Sequence, residues 1–119
     1  MTLLEYQPFI IGAKKGQSGL EACLKFFNAF HNMDECRLHT FSAFTIDRKE
    51  ALFIPAEPFR PGLVLKYQEE GMDINLCATG EFRGHTVSFV FTEGILLISN
   101  LNENGLSGEI VKEVCAHIQ

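Results

Sequence analysis

The clearest pattern of apolar and polar positions lies between residues 85 and 101. From 85 to 92, large apolar side chains alternate with hydroxyl side chains, as in a strand that rests one face on a core. Glu93 and Gly94 then supply a turn, and residues 95–98 form a continuous apolar run. This segment predicts a β-hairpin whose second strand is buried on both faces.

Short apolar runs, separated by turn residues, recur about every ten residues after position 36. The turn candidates include Glu69-Glu70-Gly71 and the Pro-rich loop at 55–62, whose three prolines cannot donate to a strand ladder. Connections this short join antiparallel neighbours, so the pattern predicts a meander. Together with a first strand that Pro8 places at an edge, the predicted strands are 3–11, 37–46, 51–54, 63–68, 72–79, 85–92 and 95–101.

A first helix is predicted to begin at Ser18, which has capping-box spacing to Glu21. At 100° per residue, one face collects the apolar residues expected to pack on the sheet, and Phe26 and Met33 widen that arc to about 200°. This exceeds the stripe of a helix that lies on a single sheet, so a second layer or a partner must cover the remainder. Because the chain offers one other helix, we expect Phe26 to be partly exposed and, with Met33, to contact a partner or a second copy.

A second helix is predicted near the C-terminus, with Ser107 as its N-cap and Leu106 packing against Val111. Its apolar residues span about 140°, the stripe of a helix that docks on a sheet; they are Ile110, Val111, Val114, Cys115 and Ile118. The predicted fold class is therefore α+β. A single domain, residues 1–119, contains one antiparallel meander of about six to seven strands with both helices on the same face.

This order of elements is similar to that of helix-grip folds, in which a curved antiparallel sheet wraps a C-terminal helix around a cavity. The similarity lies in element order alone, because no residue motif accompanies it. The chain also departs from that pattern, with one helix before the meander instead of two and a final helix of only about 12 residues.

Charge and composition limit the classes of partner. The 119 residues include 10 basic and 15 acidic side chains, for a net charge of −5, and residues 91–119 contain four acidic residues against one lysine. Binding to nucleic acid requires Lys and Arg to displace counterions, so we expect no nucleic-acid partner and favour a basic protein. Eleven Phe and no Trp indicate a core of interlocking phenyl rings.

The four cysteines are widely spaced and form no CxxC motif, which is typical of free thiols in a reducing compartment. The N-terminal apolar run lacks a basic region and contains Glu5 and Pro8, unlike a signal peptide. No apolar stretch approaches the ~20 residues that span a bilayer. The sequence therefore predicts a cytoplasmic protein with no membrane association.

Three patterns could support a chemical role, but none of them matches a specific motif. Glycines at 12, 16 and 19 flank two lysines before a helix, where an anion could bind, but the order is neither that of a P-loop nor that of a dinucleotide turn. His31, Cys36 and His39 are zinc-type ligands, one short of a structural site. Four Cys and four His offer many chance pairs and no thiol at a helix N-terminus. We expect no metal, no cofactor and no catalytic residue.

Two functional hypotheses remain. The favoured one is a non-enzymatic domain that sequesters another protein, as immunity proteins, antitoxins and secretion chaperones do. Its predicted contact residues are Phe26, Met33 and the acidic turn with Glu69, Glu70 and Asp73. The alternative is a small-molecule-binding domain with a Phe-lined cavity between sheet and helices, for which the residues to inspect are Tyr67, Arg83 and His85.

Overall fold

A computed structural model describes residues 6–9, 19–45, 51–53, 64, 74–99 and 106–118. Eight elements are assigned within them. In chain order they are β1 (Tyr6–Phe9), α1 (Gly19–Asn32), β2 (Cys36–Thr45), β3 (Ala51–Phe53), β4 (Ile74–Phe82), β5 (His85–Thr92), β6 (Ile95–Ser99) and α2 (Leu106–Ile118).

The strands form one antiparallel sheet in the order β1-β6-β5-β4-β2-β3. Strands β4, β5 and β6 form a three-stranded part of the predicted meander. The meander does not continue through β3, because β2 lies next to β4 and β3 lies beyond β2, while β1 closes the opposite edge, with Tyr6 paired to Ser99. The α+β class, with one antiparallel sheet and two helices, is confirmed. The predicted strand at 63–68 is not seen at its one described residue, Val64, which is helical and fully buried; the rest of that segment lies outside the described residues.

Two tight turns fix the register of the meander. Arg83-Gly84 and Glu93-Gly94 each place both residues at positive φ, between 50° and 82°, as a type I′ turn requires. The hairpin predicted at 85–101 is therefore confirmed. Its second strand is not buried on both faces, however, because Ile95 is exposed and Leu97 half-buried on the side where no described helix packs.

Helix α1 packs on the inner face of the sheet through three phenylalanines. The rings of Phe26, Phe27 and Phe30 lie edge-on to Phe89 of β5, with centroids 6.1, 5.2 and 5.3 Å away. Phe27 also meets Phe41 of β2 at 5.2 Å. These rings fill the space between the helix and the centre of the sheet.

The expectation that Phe26 is exposed is wrong, because its side chain is completely buried. At 100° per residue, the mean direction of the three rings that face Phe89 is about 50° away from that of the predicted sheet-facing stripe. That rotation brings Phe26 onto the sheet and leaves Lys25 and Asn28 outside. Met33, beyond the end of the helix, is half-buried against the core.

Helix α2 packs against α1 and buries Ile110 and Val114 completely. The apolar stripe of α2 that packs on the core is narrower than predicted, because Ile118 is 41% exposed. Ser107 is not the N-cap, because the helix begins at Leu106. Instead its buried hydroxyl donates to the Ser99 carbonyl at 3.1 Å and so ties α2 to the end of β6. The side chain of Leu106, and with it the predicted packing on Val111, lies outside the described residues.

Candidate functional site

Four charged side chains from three parts of the described chain meet at the turn between β4 and β5. Arg83 occupies the first position of this type I′ turn at φ 50°, a conformation that a non-glycine residue adopts only when its surroundings hold it there. Its backbone N–H donates to the Glu35 carbonyl at 2.9 Å. The hairpin tip is therefore joined to the short connection between α1 and β2.

Three carboxylates from two separate parts of the chain surround the Arg83 guanidinium. Its nitrogens lie 2.5 Å from Glu113, 3.7 Å from Glu35 and 3.9 Å from Glu109, and its Cζ lies 4.8 Å from the centroid of the Phe82 ring. We call Arg83 and these three glutamates the Arg83 cluster. Because it combines three negative charges with one positive charge, the cluster is acidic overall.

Most of these side chains remain accessible to solvent. Arg83 is 44% exposed, and the three carboxylates range from 37% for Glu113 to 70% for Glu35. An open groove of about 530 Å³ runs beside the cluster. It is lined by Glu35, Cys36, Arg37, Glu81, Arg83 and Gly84. At this end of the outer sheet face, Glu81 also lies 3.7 Å from the His39 imidazole.

The pKa of the Cys36 thiol is shifted by burial and by the charges of this region. Burial raises its pKa most, the Glu113 carboxylate raises it further, and the Arg83 guanidinium opposes them. The carboxylates of Glu35 and Asp34 add smaller upward effects. Burial alone raises the pKa of Cys23 and Cys115. Each of these thiols therefore forms less thiolate at a given pH than an ordinary cysteine does, which opposes a role for them as nucleophiles.

Neither of the two predicted contact residues that the structure describes is exposed. Phe26 is in the core, and Met33 packs against the core. The acidic turn, with Glu69, Glu70 and Asp73, lies outside the described residues, as does Tyr67.

Arg83 and His85 do lie at one place, the β4–β5 hairpin tip, where His85 is exposed and paired with Phe82. Sequence reasoning missed Glu35, Glu109 and Glu113. One signal was available for two of them: Glu109 and Glu113 are four residues apart and so share a helix face.

The zinc-type residues His31, Cys36 and His39 do not gather around a common point. Within the ranges that the structure describes, no three His, Cys, Asp or Glu side chains are arranged to hold a metal ion. Neither described helix combines the length and the apolar character that crossing a membrane would require.

Comparison with protein-family models, with curated proteins and with solved structures found no significant match for this chain. The functional argument therefore depends on the geometry and charge of the described residues.

Proposed function

We propose that this protein is a non-enzymatic, cytoplasmic binding domain that sequesters a basic protein, as immunity proteins, antitoxins and secretion chaperones do. The observation that carries the proposal is the Arg83 cluster, in which three carboxylates surround a single guanidinium and stay partly exposed. A partner's Lys or Arg side chains would bind the outward-facing oxygens of Glu35 and Glu109, which are the more exposed carboxylates.

Arg83 has a structural part in this proposal. It draws together carboxylates from the α1–β2 connection and from α2, so the acidic surface exists before the partner arrives and little side-chain entropy is lost on binding. Exposed charges of this kind contribute more to the rate of association and to partner choice than to affinity. Binding should therefore weaken as salt rises from 0.05 to 0.5 M, over which the Debye length falls severalfold.

The test is to purify the tagged protein from its native host at low salt and to identify stoichiometric polypeptides by mass spectrometry. Glu109→Lys should weaken capture of the recovered partner at least tenfold. Glu93→Lys is the matched control, since it makes the same charge change at the turn at the opposite end of β5, and it should alter capture less than twofold. Equal capture by both variants would contradict the proposed surface.

The small-molecule alternative requires a helix-grip-like cavity between sheet and helices. Four phenyl rings, those of Phe26, Phe27, Phe30 and Phe89, fill the space between α1 and the centre of the sheet. This filling supports the protein-binding hypothesis over a cavity at that place. Native mass spectrometry of the same preparation separates the two. A retained small mass without a second polypeptide would favour the alternative and overturn the proposal.

A further inference from the structure

The open groove beside the Arg83 cluster is lined by two guanidinium groups whose surroundings differ. Arg83 is surrounded by three carboxylates of its own chain, so its charge is already offset. Arg37 lines the same groove and is exposed, but it forms no ion pair within the part of the chain that the structure describes. Of the two guanidiniums, Arg37 is therefore the one available to an incoming group.

The carboxylate best placed to pair with Arg37 is engaged elsewhere. Arg37 and Glu81 lie directly opposite each other on β2 and β4, and opposite charges in such a cross-strand pair ordinarily attract each other. Glu81 instead lies 3.7 Å from the His39 imidazole, and these two described strands hold no Arg37–Glu81 ion pair. The Arg37 guanidinium therefore keeps its N–H donors for another acceptor, although an acidic residue is its neighbour in the sheet.

We propose that Arg37 binds a carboxylate of the partner protein, so that the partner presents an acidic group beside the Lys or Arg that meets Glu35. This inference rests on the proposed function and adds to it the chemistry of the partner's docking segment. A planar guanidinium can donate to both oxygens of one carboxylate, which selects for its position as well as its charge. Glu35 and Arg37 are two residues apart and line one groove, so a single short segment can reach both.

The charge of the groove favours a segment that carries both signs over a simple anion or a purely basic segment. Two carboxylates, those of Glu35 and Glu81, line the groove together with the two guanidiniums. A small anion would meet the carboxylates, and a purely basic segment would bring its cations against Arg37. A segment in which an acidic residue lies close to a basic one avoids both repulsions, and repulsion of the wrong partner is how charged surfaces gain specificity.

The sign of the response to a charge change tests this inference. General attraction between an acidic protein and a basic partner predicts that an acidic residue in place of Arg37 strengthens binding. The inference predicts the opposite. Arg37→Glu should weaken binding of the recovered partner about tenfold, because it turns an attraction into a repulsion, and Arg37→Gln should weaken it about threefold. Lys25→Glu makes the same charge change as Arg37→Glu on the exposed side of α1, and it should not weaken binding.

Isothermal titration of the recovered partner at low salt measures these affinities, and changes in the partner identify the carboxylate. Its Asp and Glu residues are replaced one at a time by Asn and Gln, and its C-terminus is extended with glycine to move the terminal carboxylate. One of these changes should weaken binding to the wild-type protein and have no further effect on Arg37→Gln, as expected for two groups that contact each other. The outcome also tells a side-chain carboxylate from the terminal one.

Stronger or unchanged binding by Arg37→Gln would overturn the inference, and so would the absence of any partner carboxylate that couples to Arg37. Arg37→Gln decides the question if Arg37→Glu, which faces Glu81 across the strands, does not fold by circular dichroism. Glu109→Lys separates the two kinds of failure. If it weakens binding and the Arg37 variants do not, the proposed partner surface stands without this inference; if none of them weakens binding, or no partner is recovered, both are wrong.

Discussion

Phe89 is the residue of the sheet on which three phenyl rings of α1 converge. Phe26 is one of these rings and is wholly buried, although its position on the helix predicted that it would be partly exposed. The pattern of apolar and polar positions identified Phe26 as apolar. It did not determine the rotation of the helix about its axis, because that rotation depends on how the rings fit around Phe89. The size of the side chains on both elements decides that rotation.

Phe26→Ala should therefore destabilise the protein by about 3–5 kcal/mol, the cost of emptying a large aromatic core position. Urea denaturation followed by circular dichroism measures the change. Asn28→Ala, at an exposed position two residues along the same helix, should change the free energy of unfolding by less than about 1 kcal/mol. A loss below 1 kcal/mol for Phe26→Ala would show that the ring is not in the core.

A second residue-scale prediction concerns the Cys36 thiol. Its raised pKa means that less thiolate is present at any given pH, so its alkylation by iodoacetamide should require a higher pH than that of glutathione. Arg83→Gln removes the cation that lowers this pKa, and should move the alkylation profile to still higher pH. Glu113→Gln removes the carboxylate that raises it most, and should move the profile lower.

Peptide mass spectrometry at a series of pH values gives the profile for Cys36 alone. The two substitutions alter the local charge in opposite directions and are each other's control. Shifts of the same sign would mean that Cys36 responds to a change in burial and that the charges of the Arg83 cluster do not reach it.

At the scale of elements, β2 and β4 approach each other more closely at Gly80 than any side chain would allow. A Cβ at Gly80 would overlap the Arg37 carbonyl oxygen, beside the register shift between Leu38 and Thr40, and would lie 3.3 Å from the Phe30 ring. The sequence pattern ended the predicted strand at residue 79, whereas Gly80 lies inside β4. A glycine inside a strand often marks a site where another backbone approaches closely.

Gly80→Ala should cost about 1–3 kcal/mol, since the backbone of β2 must move to admit the methyl group. Gly108→Ala is the contrasting substitution, because its added methyl group meets no atom within 4 Å and lies in α2. It should stabilise the protein by about 0.5–1 kcal/mol through the lower helical cost of alanine. Thermal and urea unfolding of the two variants would then move in opposite directions, and parallel shifts would refute the close approach.

The elements that the sequence predicted best are those with local causes. The β5–β6 hairpin follows from alternation and from Glu93-Gly94. Strand β2 lies within one residue of its predicted limits, and α1 begins one residue after the predicted start at Ser18. Val64 shows the opposite case, since its apolar run fits a buried strand or a buried helix equally well. Where tertiary contacts override a short local pattern, the sequence alone does not determine the type of element.

At the scale of the whole molecule, the Arg83 cluster could not be read from the sequence. Glu35, Arg83 and Glu109 are far apart along the chain, and no motif links them. They meet because the α1–β2 connection, the β4–β5 turn and the start of α2 end at the same side of the fold. Only Arg83 was selected in advance, as a candidate ligand-binding residue, whereas its observed neighbours are carboxylates of the same chain.

The pairing of β1 with β6 has a consequence for synthesis. Tyr6 leaves the ribosome long before Ser99, the residue it faces across the sheet. At about 5–20 residues per second, the first strand waits several seconds for its neighbour. During that interval the nascent chain can form its local hairpins, whose short loops close quickly, but the outermost strand cannot be added. The β1 edge of the sheet is therefore completed only after β6 is made, although β1 is translated long before the strand that it pairs with.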